Sequence, residues 1–118
     1  MKNRPFVDRL GFALSGIVST FRSEASFRMQ IAAAAVMLIV LWWLRPPPAW
    51  WAIVMAMAGL VLAAELFNTA LERVIDHLHP AHHPATRIAK DCAAAAVLVL
   101  SIAALGVFIA LIVETWRL

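Results

Sequence analysis

Residues 64–76 read Ala-Glu-Leu-Phe-Asn-Thr-Ala-Leu-Glu-Arg-Val-Ile-Asp. Wound as a helix at about 100° per residue, Glu65, Glu72 and Asp76 fall within about 20° of one line, and Asn68 lies about 60° to one side. Carboxylates stacked in this way repel one another unless a proton, a cation or a Lys/Arg sits among them. Hard oxygen ligands of this type suit Mg2+, which takes one or two carboxylates together with phosphate oxygens. Glu65 closes an apolar run that starts at Pro46. A carboxylate at or inside a membrane boundary is costly and marks a functional position. The plainer reading of Glu72 and Asp76 is the solvated end of a long helix, with Arg73 and Arg87 available for structural ion pairs. Lys90-Asp91 opens the next apolar run and would meet the stripe from the same side. Its plainer reading is an interfacial helix start with Asp91 as N-cap. Glu24 stands just ahead of another apolar run, where alone it would be an ordinary interfacial residue.

The elements that must position these groups are membrane spans. The chain has 118 residues, of which 64% are hydrophobic and 14% charged. Soluble domains average about 45–50% apolar and about 25% charged. A fold this small leaves much of its surface exposed, so it cannot hide that much apolar surface from water. Disorder is excluded on the same grounds. Cys92 is alone, which excludes a disulfide scaffold. Three stretches carry no charge: residues 29–44, 46–64 and 92–113. The last has 22 residues, about 33 Å as a helix, against a hydrocarbon core of about 30 Å. The first is short unless Ser26, Phe27 and a snorkelling Arg28 extend it. The second follows Pro46-Pro47-Pro48, a stiff connection, and continues as helix past Glu65 into water. The spans are expected at about 26–44, 49–77 and 88–115, within a single domain covering 1–118.

The first residues do not form a signal peptide, because Lys2, Arg4, Arg9 and Arg22 interrupt any apolar core. Phe6, Leu10, Ala13, Leu14, Ile17 and Phe21 recur at helical spacing. An amphipathic helix on the membrane surface is expected at about 4–22. Five of the ten Lys+Arg residues precede Met29, and three more lie at 73–90. Positive-inside bias places the N-terminus and the connection between the second and third spans in the cytoplasm, and the C-terminus outside. Trp42, Trp43, Trp50, Trp51 and Trp116 would belt the outer interface. The net charge of +3 sets orientation and does not point to nucleic acid.

Other motifs fail. His77, His79, His82 and His83 share a proline-bounded segment without Cys or a helical i, i+4 pair, which suits a solvated loop better than zinc. Gly11 and Gly16 have Walker A spacing, but Ile17 stands where Lys is required. The small residues 93–96 suit close helix packing.

The sequence resembles the small bacterial integral-membrane lipid kinases, comprising diacylglycerol kinase and undecaprenol kinase. The family pattern is Glu-x-x-Asn-(Ser/Thr)-Ala-x-Glu-x-x-x-Asp, then Ala-Lys-Asp and a small-residue run. It is matched here by Glu65, Asn68, Thr69, Ala70, Glu72 and Asp76, then Ala89, Lys90 and Asp91. Upstream, Glu24-Ala25-Ser26-Phe27-Arg28 resembles the family's Glu-x-x-Phe-Arg. The likeness runs through essentially the whole chain. It implies a homotrimer of three-span protomers with cytoplasmic-side active sites between protomers. That accords with the expectation that three short helices cannot enclose a buried polar site alone. It further implies Glu65 as general base on the lipid hydroxyl, and Glu24 and Glu72 as ligands of the Mg2+ that accompanies ATP. Asn68, Asp76, Lys90 and Asp91 would serve the nucleotide side, with Lys90 on phosphate. His82 and His83 would cover the nucleotide. Arg9, Ser26, Phe27, Arg28 and Ala94 would line the lipid side together with Glu65. Phe12 replaces an aromatic hydroxyl found near the nucleotide in some members. Pro5 stands where a basic residue is expected one turn before Arg9.

The function implied is transfer of the ATP γ-phosphate to a membrane lipid alcohol, diacylglycerol or undecaprenol, in the bacterial inner membrane. His83-Pro84 and Asn68-Thr69-Ala70 look somewhat more like the undecaprenol branch. The rival readings are a small non-enzymatic membrane subunit or proton/cation transporter using Glu65, and an assembly factor whose stripe locks an oligomer. Glu24 and the Lys90-Asp91 pair, which a proton carrier does not need, favour the kinase.

Overall fold

The computed structural model describes residues 3–117. Four helices follow in order: α1 (Phe6–Ser23), α2 (Ala25–Leu44), α3 (Pro48–Leu78) and α4 (Pro84–Arg117). Three of them, α2, α3 and α4, are long and apolar enough to cross a membrane, with mean hydropathy of 1.8, 1.9 and 3.0. The protein is an all-α membrane protein.

Each helix boundary has a local cause. Pro5 precedes the first residue of α1, and Pro47 and Pro48 open α3, where a missing N–H costs nothing. The break between α1 and α2 is a single extended residue, Glu24, at φ −116° and ψ 110°. Its N–H donates to Thr20 O at 2.8 Å, and its carbonyl accepts from Arg28 N at 3.3 Å. The Arg28 guanidinium reaches back to Phe21 O at 2.6 Å and Arg22 O at 3.1 Å. These last-turn carbonyls have no partner within α1, so Arg28 caps that helix from the start of the next. At the other end of α2, Arg45 takes a left-handed conformation with φ 50°. Its N–H caps Leu41 O at 2.8 Å, and its guanidinium lies over Trp42, 5.3 Å from the ring centre.

The helix α4 starts at Pro84, ahead of the expected position near 88. Pro84 is preorganised for a first helical turn, and His83 supplies a cap. The His83 Nδ1 accepts the Ala85 N–H at 3.0 Å, and Thr86 Oγ1 donates to His83 O at 2.8 Å. Asp91 is therefore inside the helix and not its N-cap. His77 ends on α3, and the loop shrinks to residues 79–83.

The contact between α3 and α4 is the most extensive in the chain, and α1 touches α2 and α3 more lightly. Leu41, Val54 and Leu111 form a buried cluster near the α2–α3 turn, flanked by Met37, Leu44, Trp50, Trp51 and Val107. Large apolar side chains remain exposed along every helix, including Phe67 on α3 and Trp43 and Trp116 at helix ends. In water such a surface would aggregate. In a bilayer it faces acyl chains or other helices.

Candidate active site

The stripe on α3 divides into three environments. Glu65 faces α2 and is 5% exposed. Ser26 Oγ donates to its Oε1 at 2.6 Å, and Gln30 Nε2 donates to its Oε2 at 3.4 Å. Ser26 and Gln30 are four residues apart on α2, hence stacked on one face. Among the described residues no cation pairs with Glu65. A single chain therefore already buries this one acid. The other acids of the stripe are more open, Glu72 half-buried and Asp76 exposed.

One turn further on, Asn68 Nδ2 donates to Glu72 Oε1 at 3.5 Å. Asn68 Oδ1 and the neighbouring Thr69 Oγ1 are buried without partners. At the end of α3, Asp76 pairs with Lys90 of α4, so Lys90 does reach the stripe. Asp91 instead binds Arg87 on its own helix at 3.2 Å. Among the described residues Arg73 pairs with no acid. It donates to Ser19 Oγ at 3.1 Å and to Ser23 Oγ, pinning α1 to α3.

Several expected residues stand apart from this line. Glu24 sits half-buried at the α1–α2 break, and no donor among the described residues reaches its carboxylate. Phe27 is 2% exposed and packs inside the fold. Arg28 is engaged with the end of α1. Arg9 and Phe12 are exposed on α1, and Ala94 is exposed on α4. His82 and His83 border an open cleft of about 460 Å³ together with Asp76, His79, Arg87 and Lys90.

Two features escaped the sequence reading. Gln30 is the lone strongly polar side chain in the 29–44 run. Its position inside a span and one turn after Ser26 was the available signal. The Arg73 link to Ser19 and Ser23 joins helices distant in sequence, and helical spacing alone could not pair them.

The family model for prokaryotic diacylglycerol kinase matches residues 11–112. The chain belongs to that family. A diacylglycerol kinase from Pseudomonas aeruginosa is 31% identical over 86 residues, covering 73% of this chain and 70% of the relative. An undecaprenol kinase from Bacillus subtilis is 36% identical over 87 residues, covering 74% of this chain and 71% of the relative. A diacylglycerol kinase from Synechocystis is 34% identical over 94 residues, covering 79% of this chain and 54% of the relative. Membership of the prokaryotic diacylglycerol kinase family makes this chain an enzyme of the lipid-kinase class.

The expected Mg2+ can be tested against the residues present. Among the described residues Glu24 has no protein donor, and Glu72 has one long contact from Asn68. Both retain free carboxylate lone pairs of the hard type Mg2+ accepts. Among the described residues no group of three or more acids, His or Cys forms a self-sufficient metal cage. A cation held by one or two carboxylates plus phosphate oxygens fits this sparse set.

Proposed function

We propose that the chain transfers the γ-phosphate of MgATP to the hydroxyl of a membrane lipid alcohol of the diacylglycerol or undecaprenol type. Glu65 is the general base. The observation that carries this reading is a buried carboxylate in a spanning helix, served by two neutral donors and no cation. An acid kept only to lock an assembly would be expected to have a neutralising partner. A carboxylate offers about four acceptor positions, and Ser26 and Gln30 occupy two. Lone pairs therefore remain for an alcohol proton.

In the reaction the lipid O–H bond breaks and its proton passes to Glu65. The alkoxide-like oxygen forms the bond to the γ-phosphorus, and the bond to the bridging oxygen breaks with its electron pair leaving on ADP. Phosphoryl transfer of this kind asks the protein chiefly for positioning and charge stabilisation. Glu24 and Glu72 would hold Mg2+, which supplies charge neutralisation on the phosphates. Lys90, released from Asp76, would bind a phosphate oxygen, and Asp91 and Asn68 would support that end. His82 and His83 border the cleft on the nucleotide side. Phe12 belongs to the nucleotide side, and Arg9, Ser26, Phe27, Arg28 and Ala94 to the lipid-substrate surroundings in this reading. The acting unit is a homotrimer in the bacterial inner membrane, with N-terminus and active site cytoplasmic. The homotrimer fits the exposed apolar faces of the single chain, and the orientation fits the clustering of basic residues.

The test is Glu65→Gln, assayed in mixed micelles with saturating diacylglycerol and, separately, saturating undecaprenol. General-base catalysis contributes about 10²–10⁴-fold, so turnover should fall by that factor while the KM for MgATP stays near its original value. Full turnover with the better lipid would place the base elsewhere, with Asp76 next in line. Loss of MgATP binding would move Glu65 into the metal site. The lipid giving the higher kcat/KM in the unmodified enzyme identifies the substrate.

A further inference from the structure

The amide of Gln30 is used at one end only. Its Nε2 donates to Glu65 Oε2 at 3.4 Å, while its Oε1 is buried without a partner. The same residue borders a cavity of about 210 Å³ between α2, α3 and α4, whose other lining residues include Met37, Val54, Val61, Ser101 and Val107. That cavity is almost wholly apolar, and water has little reason to fill it. A buried acceptor left unpaired is normally selected against, so an unpaired one calls for an explanation.

The orientation of the amide has a simple cause. Turned the other way, Oε1 would face an ionised carboxylate, placing two acceptors against each other. The observed arrangement sets the amide N–H against a carboxylate oxygen, the pairing that an acceptor favours. Once Glu65 holds a proton, the preference reverses. A carboxylic acid is a donor, and an amide turned by half a rotation about its terminal bond presents Oε1 to receive it. An amide is a side chain that can satisfy both protonation states from a single position. Methionine could satisfy neither, a lysine would neutralise the base, and a second carboxylate would repel it.

We infer that Gln30 is a positioning residue for Glu65, holding the carboxylate with Nε2 before proton transfer and accepting from the protonated carboxyl with Oε1 afterwards. This rests on Glu65 being the general base. Ser26 fixes the other carboxylate oxygen through a hydroxyl that can likewise donate or accept. The unpaired Oε1 is then the half of the device used after the proton has moved. The proton itself comes from the lipid alcohol, and it leaves Glu65 for water before the next turnover. Gln30 gains and loses no atoms.

The experiment compares Gln30→Met, Gln30→Asn, Glu65→Gln and the double variant Gln30→Met/Glu65→Gln in the full chain. The readouts are kcat, the KM values for MgATP and lipid, and the thermal midpoint in detergent. Methionine nearly matches glutamine in volume; it removes the unpaired oxygen but also the Nε2 donor to the buried carboxylate, so the midpoint should fall by less than in Ser26→Ala, which loses the shorter bond. Should it fail to fold, Gln30→Asn carries the test, since it keeps the amide but withdraws it by one methylene. Misplacing a catalytic group by about 1 Å costs on the order of 10²-fold, so each Gln30 variant should lose about 10- to 100-fold in kcat with KM for MgATP unchanged. In the Glu65→Gln background, Gln30→Met should change kcat by less than about twofold, because the residue acts through Glu65. Gln30 variants with undiminished kcat, or losses that multiply in the double variant, overturn the inference while leaving Glu65 as base. Full turnover in Glu65→Gln alone overturns both.

Discussion

Lys90 and Asp76 form an ion pair that ties the second turn of α4 to the last turns of α3. The two side chains are 33% and 63% exposed, so the pair adds only about 0–1 kcal/mol to stability. Its value lies elsewhere: Asp76 keeps the ammonium beside the cleft bordered by His82 and His83. Lys90→Met should leave the thermal midpoint nearly unchanged. A lost charge-assisted bond to phosphate is worth about 1.5–3 kcal/mol, so the KM for MgATP should rise about 10- to 100-fold. Steady-state kinetics at saturating lipid decide it, and an unmoved KM would leave Lys90 a purely structural partner of Asp76.

Ser26→Ala removes the shorter of the two hydrogen bonds on a buried carboxylate. The expected cost is about 1.5–3 kcal/mol of stability, together with lower turnover. Ser26→Thr, which keeps the hydroxyl, should recover most of both. Differential scanning calorimetry in detergent and a phosphorylation assay on the same preparations give the two numbers.

The acid on the nucleotide side behaves differently. Glu72→Gln keeps its shape and its contact with Asn68 but loses the charge. Folding should persist, while magnesium-dependent activity falls by an amount equivalent to about 2.7–4 kcal/mol. A magnesium titration should also shift to higher concentration. Activity retained within about tenfold at saturating Mg2+ would remove Glu72 from the metal site.

Orientation can be read with single cysteines in a Cys92→Ser background. A membrane-impermeant thiol reagent should label His82→Cys in everted inner-membrane vesicles and Pro47→Cys in right-side-out ones. The reverse pattern would put the Lys90 end of the molecule outside, away from ATP.

Charge-free runs anticipated the three helices long and apolar enough to cross a membrane, because such runs are local in sequence and do not depend on distant contacts. Helical periodicity placed Glu65, Asn68, Glu72 and Asp76 on one side of α3. What it could not supply was the partner of each. Glu65 turns to α2 and Asp76 to α4, because neighbouring helices divide the stripe among themselves, while Arg73, off the stripe, reaches serines of α1. The motif gave Arg28 a substrate-side role but no sign that its guanidinium also caps the last carbonyls of α1. Asp91 was offered as the N-cap of α4 because His83 is an uncommon cap, its imidazole standing where Ser or Asp would have been recognised.

Ser26 and Gln30 precede Glu65 by 39 and 35 residues. During synthesis the N-terminal elements emerge first. The two donors are therefore already carried on α2 when α3 brings its acid towards the hydrocarbon. A carboxylate that would be expensive to insert bare arrives to waiting partners. The order of helices along the gene thus acts as a schedule. A circular permutation that made α3 ahead of α2 would keep every residue, yet would ask the translocon to deliver Glu65 before anything could receive it.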